Sequence, residues 1–516
     1  MEFFADPMIA GLSQLVRPDV LFMIVAGTVV GLGFGIVPGL QSVTALSVFL
    51  PVSYYWDPIL SMYFFAGVIG SAGNGGAITS ILLNMPGTAQ NAATMLEGYP
   101  LTKKGRAIYA LALSASASGA GAVFGVVALV AALPVFLPLL LKFGPAEIFW
   151  IATFGLVTLV LAVNGDPAKG LVTVGLGVIL AIVGLGGPGL PVPRFTFDSL
   201  YLYEGLNLVV VVIGLLVVSE AFGTLVAGVR MRQAAHERDP LPPAPDKAER
   251  RTQLREGLVE PLRRPWLFIR SSAIGTFVGA IPGVGGTVAQ FMSYNAALAS
   301  SKNPEEFGKG SVEGLIATEA ATNAKDGGAL LPTLLFGIPG SADMALLLAA
   351  WQLHGLRPGP SFLETNGAIA WALIFGLLFS NILNSIFTAV AAPGLSRLPR
   401  VDPLLVAPIV LCASMVSVYA IRENFWDVAL VIGFGLLGYL QKLFGYPVIG
   451  VVIGFVLGGV MEFNFYLALQ SSLGDPVIFV TGPISLALAV GTVIATVWCA
   501  VRMVKRGAGA RAGGAA

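Results

Sequence analysis

Gly31-Leu32-Gly33-Phe34-Gly35-Ile36-Val37-Pro38-Gly39 carries an apolar helix straight into its own terminator, and the pattern returns as Gly275-Thr276-Phe277-Val278-Gly279-Ala280-Ile281-Pro282-Gly283. Proline removes a backbone donor and clashes with the preceding turn, while glycine tolerates backbone angles closed to other residues. A Pro-Gly pair in an apolar segment therefore predicts a broken helix. Ala45 and Ala289 keep one offset from the two motifs. A second pair follows in the same order: Gly75-Gly76-Ala77 leads to Pro86-Gly87-Thr88-Ala89, and Gly327-Gly328-Ala329 to Pro339-Gly340-Ser341-Ala342. With 64 glycines in the chain a single match means little. The shared order predicts an internal duplication.

The surrounding composition identifies the solvent. Of 516 residues 56% are hydrophobic and only 11% charged, with a mean hydropathy of +0.84. A soluble chain carries about 25% charged residues, so lipid must cover much of this one. Leu171 to Val183, Leu206 to Val218 and Leu486 to Val501 hold no charged residue. A hydrocarbon core of ~30 Å takes roughly 20 helical residues, which predicts about ten to twelve membrane segments, several too short or too broken to cross alone. An open sheet cannot satisfy its backbone in lipid. The fold expected is an all-α polytopic membrane bundle in two pseudo-symmetric repeats, with re-entrant hairpins and broken helices.

A net charge of +1 gives no field for nucleic acid. Cys412 and Cys499 lie far apart in apolar segments and suit neither a metal cluster nor a disulfide framework. Met1-Glu2-Phe3-Phe4 lacks a basic region, so the first apolar helix, from about Val20, is expected to be retained. From Arg230 to Arg264 the chain holds nine Lys/Arg, six Asp/Glu and Pro240, Pro242, Pro243 and Pro245, a solvated linker or short surface helix. Its basic excess, with Arg502, Lys505, Arg506 and Arg511, predicts that linker and C-terminus are cytoplasmic. The organisation expected is a first membrane repeat over 1–229, linker 230–265, second repeat 266–503 and disordered tail 504–516.

Broken backbone at membrane depth is tolerated where it lines a cavity; there freed amides hold an anion and freed carbonyls a cation. The residues after each break suit that use. Pro38 and Gly39 lead to Gln41, Ser42 and Thr44, and Pro282 and Gly283 to Gly286 and Thr287. Asn84 precedes Pro86, Gly87 and Thr88, and Pro339 and Gly340 lead into Ser341. These sixteen positions form the candidate substrate site, with Gln90 and Asn91 as further polar groups beyond the first tip. The plainer alternative is that Gly-x-x-x-Gly brings helices close and that Pro-Gly only kinks them. Glu319 and Asn323 share a helix face four residues apart. Glu319 either binds a cation or carries a proton, or else pairs with Lys325 or Lys309 as a structural tie. Lys325 and Asp326 read as a local ion pair at a loop before a Gly-Gly turn. Lys103, Lys104 and Arg106 read as a solvated helix start, Glu220 as interfacial, and His354 as packing.

The stretch from Gly31 to Gly105, with Val37-Pro38-Gly39-Leu40, Asn84-Met85-Pro86-Gly87 and Glu97-Gly98-Tyr99-Pro100, resembles the large membrane subunit of tripartite tricarboxylate transporters, the TctA family. Glu313-Gly314, Glu319-Ala320-Ala321-Thr322-Asn323-Ala324-Lys325-Asp326-Gly327-Gly328, Gly337-Ile338-Pro339-Gly340-Ser341, Leu457-Gly458, Glu462 and Gly474-Asp475 extend the resemblance. It departs at Phe465-Tyr466, where basic residues are expected, and at Gly482, where an arginine often stands. The resemblance implies an ion-driven secondary transporter of a tri- or dicarboxylate or related organic acid in the bacterial inner membrane. It implies a small TctB-like membrane subunit and a periplasmic TctC-like binding protein as partners, and Na⁺ or H⁺ as coupling ion with no other cofactor. Na⁺ is expected near Asn84, Ser42, Thr287 and Asn323. By analogy with related two-hairpin transporters the repeats are expected to be inverted. An anion channel or a structural scaffold is the alternative. An enzyme is not expected, since no nucleophile–base or metal motif accompanies the two histidines.

Overall fold

The computed structural model describes residues 2–37, 40–140, 142–162, 167–186, 192–234, 245–282, 285–357, 359, 362–395 and 403–513. The first half begins with α1 (Glu2–Gln14) and α2 (Pro18–Ile36), and after a break resumes as α3 (Ser42–Ser53). The long α4 (Pro58–Leu83) ends in a tip, a 3-10 turn (Ala89–Asn91) and the return helix α5 (Ala92–Lys103). Then come α6 (Ala107–Leu140), α7 (Pro145–Ala162) and α8 (Pro167–Ala181). An antiparallel ribbon of β1 (Gly184–Leu185) and β2 (Pro193–Arg194) and the turn α9 (Leu200–Tyr203) follow. α10 (Leu208–Val212) passes through a π-helical stretch (Ile213–Val218) into α11 (Ser219–Ala234), and α12 (Lys247–Arg263) joins the halves.

The second half repeats the opening order. α13 (Pro265–Gly279) breaks and resumes as α14 (Gly285–Ser300); α15 (Val312–Phe336) ends in a tip and returns as α16 (Ala342–Leu353). After α17 (Phe362–Thr365) and the long α18 (Gly367–Leu395) come α19 (Pro403–Arg422), α20 (Phe425–Leu443) and α21 (Val448–Ser471). The short α22 (Ile478–Thr481) leads to α23 (Pro483–Gly513), which reaches into the Gly/Ala-rich end read as a tail.

Eight of these helices are long and apolar enough to cross a membrane, among the described residues. Five shorter apolar helices stand beside them, including α3, α8 and α16. The ten to twelve segments expected from spacing lie between the eight long helices and the thirteen reached when the five short ones are added. Their lipid faces are apolar: on α18, Phe379, Ile382, Ile386 and Val390 are exposed.

Both tips close in the same way. Asn84 and Gly337 take left-handed backbone at φ 53° and 66°, which asparagine and glycine accept most readily. The next amides reach back six residues, Met85 to the Thr79 carbonyl at 3.5 Å and Ile338 to that of Pro332 at 3.3 Å. Gly75-Gly76 and Gly327-Gly328 are not turns: they lie inside α4 and α15, buried.

The Gly-x-x-x-Gly motifs pack helices. A Cβ at Gly35 would stand 2.2 Å from the Ala72 carbonyl oxygen, so α2 lies backbone-to-backbone on α4. A Cβ at Gly279 would stand 2.1 Å from the Lys325 carbonyl oxygen, so α13 lies the same way on α15. Gly35→Val is therefore expected to force α2 off α4, at the ~1–3 kcal/mol typical of overpacking or above it. Gly33→Val is the control, since a Cβ there meets nothing within 4 Å. Thermal melting of both variants in detergent checks this; equal melting temperatures would refute the close-approach role.

α4 and α15 are buried on every side, which accounts for helices that show no amphipathic stripe. Each is covered by the other half: α15 runs along α6, and α4 along α18. α7, α8, α21 and α23 pack together to one flank, and α11, α19 and α20 to another. The charged connection is a docked surface helix where it is described. Gly257 of α12 touches α6, where a Cβ would stand 2.5 Å from the Tyr109 carbonyl oxygen, and Gln253 Nε2 donates to the Gly105 carbonyl at 3.0 Å.

Candidate functional site

Small residues let α15 carry charge through the centre of the bundle. Ala320, Ala321, Ala324, Gly327 and Gly328 are fully covered, and their neighbours come to backbone distance: a Cβ at Gly328 would meet the Thr276 carbonyl oxygen at 1.9 Å. The helix therefore continues through Gly327-Gly328 and takes Glu319, Lys325 and Asp326 into the interior with it. Lys325 and Asp326 are not at a loop. They are bonded to each other in mid-helix, with side chains 3% and 4% exposed.

Two of the breaks meet at Lys325 and two at Asp343. A Cβ added to Gly286, at the start of α14, would stand 2.5 Å from Lys325 Cε and 2.4 Å from Gln90 Oε1 of the first tip. Asp343, in the first turn of α16 after the second tip, is buried. Ser42 Oγ, at the start of α3, donates to Asp343 Oδ1 at 2.5 Å. The start of α14 and the turn before α5 thus meet at Lys325, and the starts of α3 and α16 at Asp343.

A neutral network adjoins this cluster. Gln290 Nε2 of α14 donates to Thr94 Oγ1 at 2.9 Å and to Thr322 Oγ1 at 2.8 Å, and its Oε1 accepts from the Ala93 amide at 3.0 Å. Asn323 Nδ2 donates to Asn381 Oδ1 at 2.6 Å and reaches Asn74 Oδ1 at 3.5 Å. Asn74 Oδ1 also accepts from Ser118 Oγ at 2.6 Å. Glu319, fully buried, accepts from Thr94 Oγ1 and from Ser114 Oγ at 2.6 Å. It pairs with neither Lys325 nor Lys309. Two hydroxyls leave carboxylate lone pairs available for a proton or a cation.

The sequence-predicted residues divide accordingly. Ser42, Thr44, Gly87, Thr88, Pro339, Gly340 and Ser341 are buried. Thr88 Oγ1 donates to Asn91 Oδ1 at 2.5 Å, and Ser341 Oγ caps α16 by accepting from the Met344 amide at 3.4 Å. Gln41 precedes α3 in extended conformation, and Pro282, Gly286 and Thr287 are half-buried. Asn84 and Pro86 are exposed on the outside of the first tip, away from the buried cluster. Pro38, Gly39 and Gly283 lie outside the described residues. Asp343, Thr94, Gln290, Asn74 and Asn381 were not anticipated. Asp343 carried a legible signal, an acid two residues into an apolar stretch after Pro-Gly. Among the described residues no three of His, Cys, Asp or Glu gather as a metal cluster.

The peripheral charges are tied locally. Lys442 bonds Glu220 at 2.5 Å, Arg106 reaches Glu256 at 3.3 Å, and Lys104 Nζ donates to the Lys309 carbonyl at 2.7 Å. Glu97 of α5 is a buried anchor. Its carboxylate accepts from Tyr294 Oη at 2.7 Å and from the amides of Gly308, Gly310 and Ser311 at 2.6, 2.8 and 2.6 Å. A separate cavity of about 490 Å³ opens beside the second tip, lined by Phe336, Gly337, Gln352 and Asn464 among mostly apolar groups.

Residues 21–453 match the model of the tripartite tricarboxylate transporter TctA family. The chain is 30% identical over 496 residues to an uncharacterised 52.8 kDa protein of the TAR-I ttuC' 3' region of Agrobacterium vitis, covering 93% of each chain. It is 33% identical over 214 residues to an uncharacterised protein of the TAR-II ttuC' 3' region of the same organism, covering 42% of this chain and 88% of that one. No solved structure matches.

Proposed function

The chain belongs to the tripartite tricarboxylate transporter TctA family, and we propose that it moves a tri- or dicarboxylate, or a related organic acid, through the bacterial inner membrane by symport with Na⁺ or H⁺. The observation that carries this reading is that the start of α14 and the first tip meet at buried Lys325, while the starts of α3 and α16 are joined at buried Asp343. Amides released at the helix starts, with the ammonium, suit a carboxylate. Glu319 and Asn323, one helical turn apart, suit the coupling ion, with Ser42 and Thr287 as further oxygen donors.

Charge bookkeeping supports coupling. Lys325 is already bonded to Asp326, so an arriving anion finds no unpaired positive charge there. In a low-dielectric interior that state is strongly disfavoured unless cations bind too. Substrate and cation then bind as a set, which is what symport requires.

A small TctB-like membrane subunit and a periplasmic TctC-like binding protein complete the proposed system. The two halves act as inverted repeats around the site, with linker and C-terminus in the cytoplasm. Radiolabelled carboxylate uptake into vesicles reconstituted with the partners, driven in turn by a Na⁺ gradient and a pH gradient, tests the reading. Accumulation above the outside concentration is expected with one of them. Equilibration without accumulation under either would replace the symporter with an anion channel. Pro339→Ala and Ser341→Ala are expected to lower uptake in folded protein, and undiminished uptake in both would remove the second tip from the site.

A further inference from the structure

The long α18 carries a polar face that the carboxylate site does not use. Asn381, Asn384, Ser385 and Thr388 recur at three- and four-residue intervals and so share one side of the helix, opposite the lipid-facing Phe379, Ile382, Ile386 and Val390. The face begins at the central amides, where Asn381 accepts from Asn323 at 2.6 Å. It continues along α6: a Cβ at Gly119 would stand 2.2 Å from Ser385 Oγ, and Ala392 packs with Ala110 and Ala117. It therefore leads towards the start of α6, where α12 is docked.

Beyond Asn381 this face is unsatisfied. Asn384 is fully buried and Thr388 2% exposed, yet both polar atoms of Asn384, Ser385 Oγ and Thr388 Oγ1 have no hydrogen-bond partner among the described residues. Leaving each such group bare costs about 1–3 kcal/mol, so three adjacent side chains in this condition imply a polar occupant. Their chemistry selects it. Amide and hydroxyl oxygens without a fixed positive charge suit a small hard cation and its water. A carboxylate would find no compensating charge there.

We propose that the α6–α18 interface is a hydrated path for a monovalent cation, joining the Asn74–Asn323–Asn381 cluster to the α12 side of the protein. The path rests on the ion-coupled reading above and gives the coupling ion a route separate from the substrate's. Asn74 Oδ1 is bonded to Ser118, one turn of α6 beyond the Ser114 that holds Glu319, so the route opens beside the one fully buried glutamate of α15.

Single cysteines at 384 and 388, in full-length protein with Cys412 and Cys499 replaced by alanine, test the path in reconstituted vesicles. Both are expected to react with a cationic methanethiosulfonate added on the α12 side, faster than with an anionic one, while a cysteine at lipid-facing Ile386 does not. In the coupled assay Asn384→Leu is expected to raise the concentration of the coupling cation, Na⁺ or H⁺, for half-maximal uptake about tenfold, the equivalent of one lost hydrogen-bonding partner. Failure of both cysteines to react, or equal reaction with the anionic reagent, overturns the path. So does an unchanged dependence on that cation in Asn384→Leu; Asn384→Ser serves if the leucine variant does not fold. Labelling needs neither substrate nor gradient, so it remains decisive even if the wild-type protein proves uncoupled and the symporter reading fails.

Discussion

Lys325→Met is expected to reduce carboxylate uptake at sub-saturating substrate by about a hundredfold, because a charge-assisted hydrogen bond contributes about 1.5–3 kcal/mol and each 1.4 kcal/mol is tenfold. The ammonium is the cation at which the start of α14 and the first tip meet, and methionine keeps its length without its charge. A structural role predicts a different pattern. Removing Lys325 alone leaves Asp326 buried without its partner, which by itself weakens the fold. Lys325→Met with Asp326→Asn removes both charges together. That double variant is expected to recover thermal stability but not uptake. Recovery of uptake in the double variant would reduce Lys325 to a counter-ion of Asp326 and move the anion site elsewhere.

Glu97→Ala is expected to be among the most destabilising single substitutions in the protein, by about 3–5 kcal/mol, because it leaves several donors without their acceptor at about 1–3 kcal/mol for each one buried. Its carboxylate alone receives the Tyr294 hydroxyl and three amides of residues 308–311. Those bonds hold the return arm of the first tip to the loop that launches α15. Without them three buried or half-buried amides lose their acceptor, and Lys325 loses the fixed start of its helix. A graded series is diagnostic. Glu97→Gln keeps one acceptor oxygen and should fall between wild type and Glu97→Ala, whereas Tyr294→Phe deletes a single bond and should cost about 1 kcal/mol. Melting curves in detergent that fail to rank in this order would refute the anchor.

The sequence was most informative where backbone chemistry is local. Pro-Gly after an apolar run located the breaks, because the loss of a donor and the freedom of glycine act within a few residues. It misjudged Gly327-Gly328, since two glycines mark a turn or a close approach equally well and only the positions of α6 and α13 decide between them. Lys325 and Asp326 were misplaced with it. Gln290 and Asn381 lay beyond reach for a related reason: each is an ordinary polar residue until other helices supply its partners, Thr94 and Thr322 for Gln290 and Asn323 for Asn381. Glu319 was identified as an interior carboxylate by its small-residue surroundings, but its hydroxyl partners Thr94 and Ser114 come from the other half.

The cover that each half gives the other bears on how such a chain is assembled during synthesis. α6 is made before α15, so the helix bearing Glu319, Lys325 and Asp326 emerges into a bilayer that already holds its neighbour. α4 finds α2 already in place, but the side that packs on α18 waits nearly three hundred residues. Until then Tyr63, Ala66 and Gly70, which meet Gly376, Ser380 and Asn381 of α18, face lipid or whatever insertion machinery shields them. That side of the first half is thus a ward of the translocation apparatus until α18 arrives.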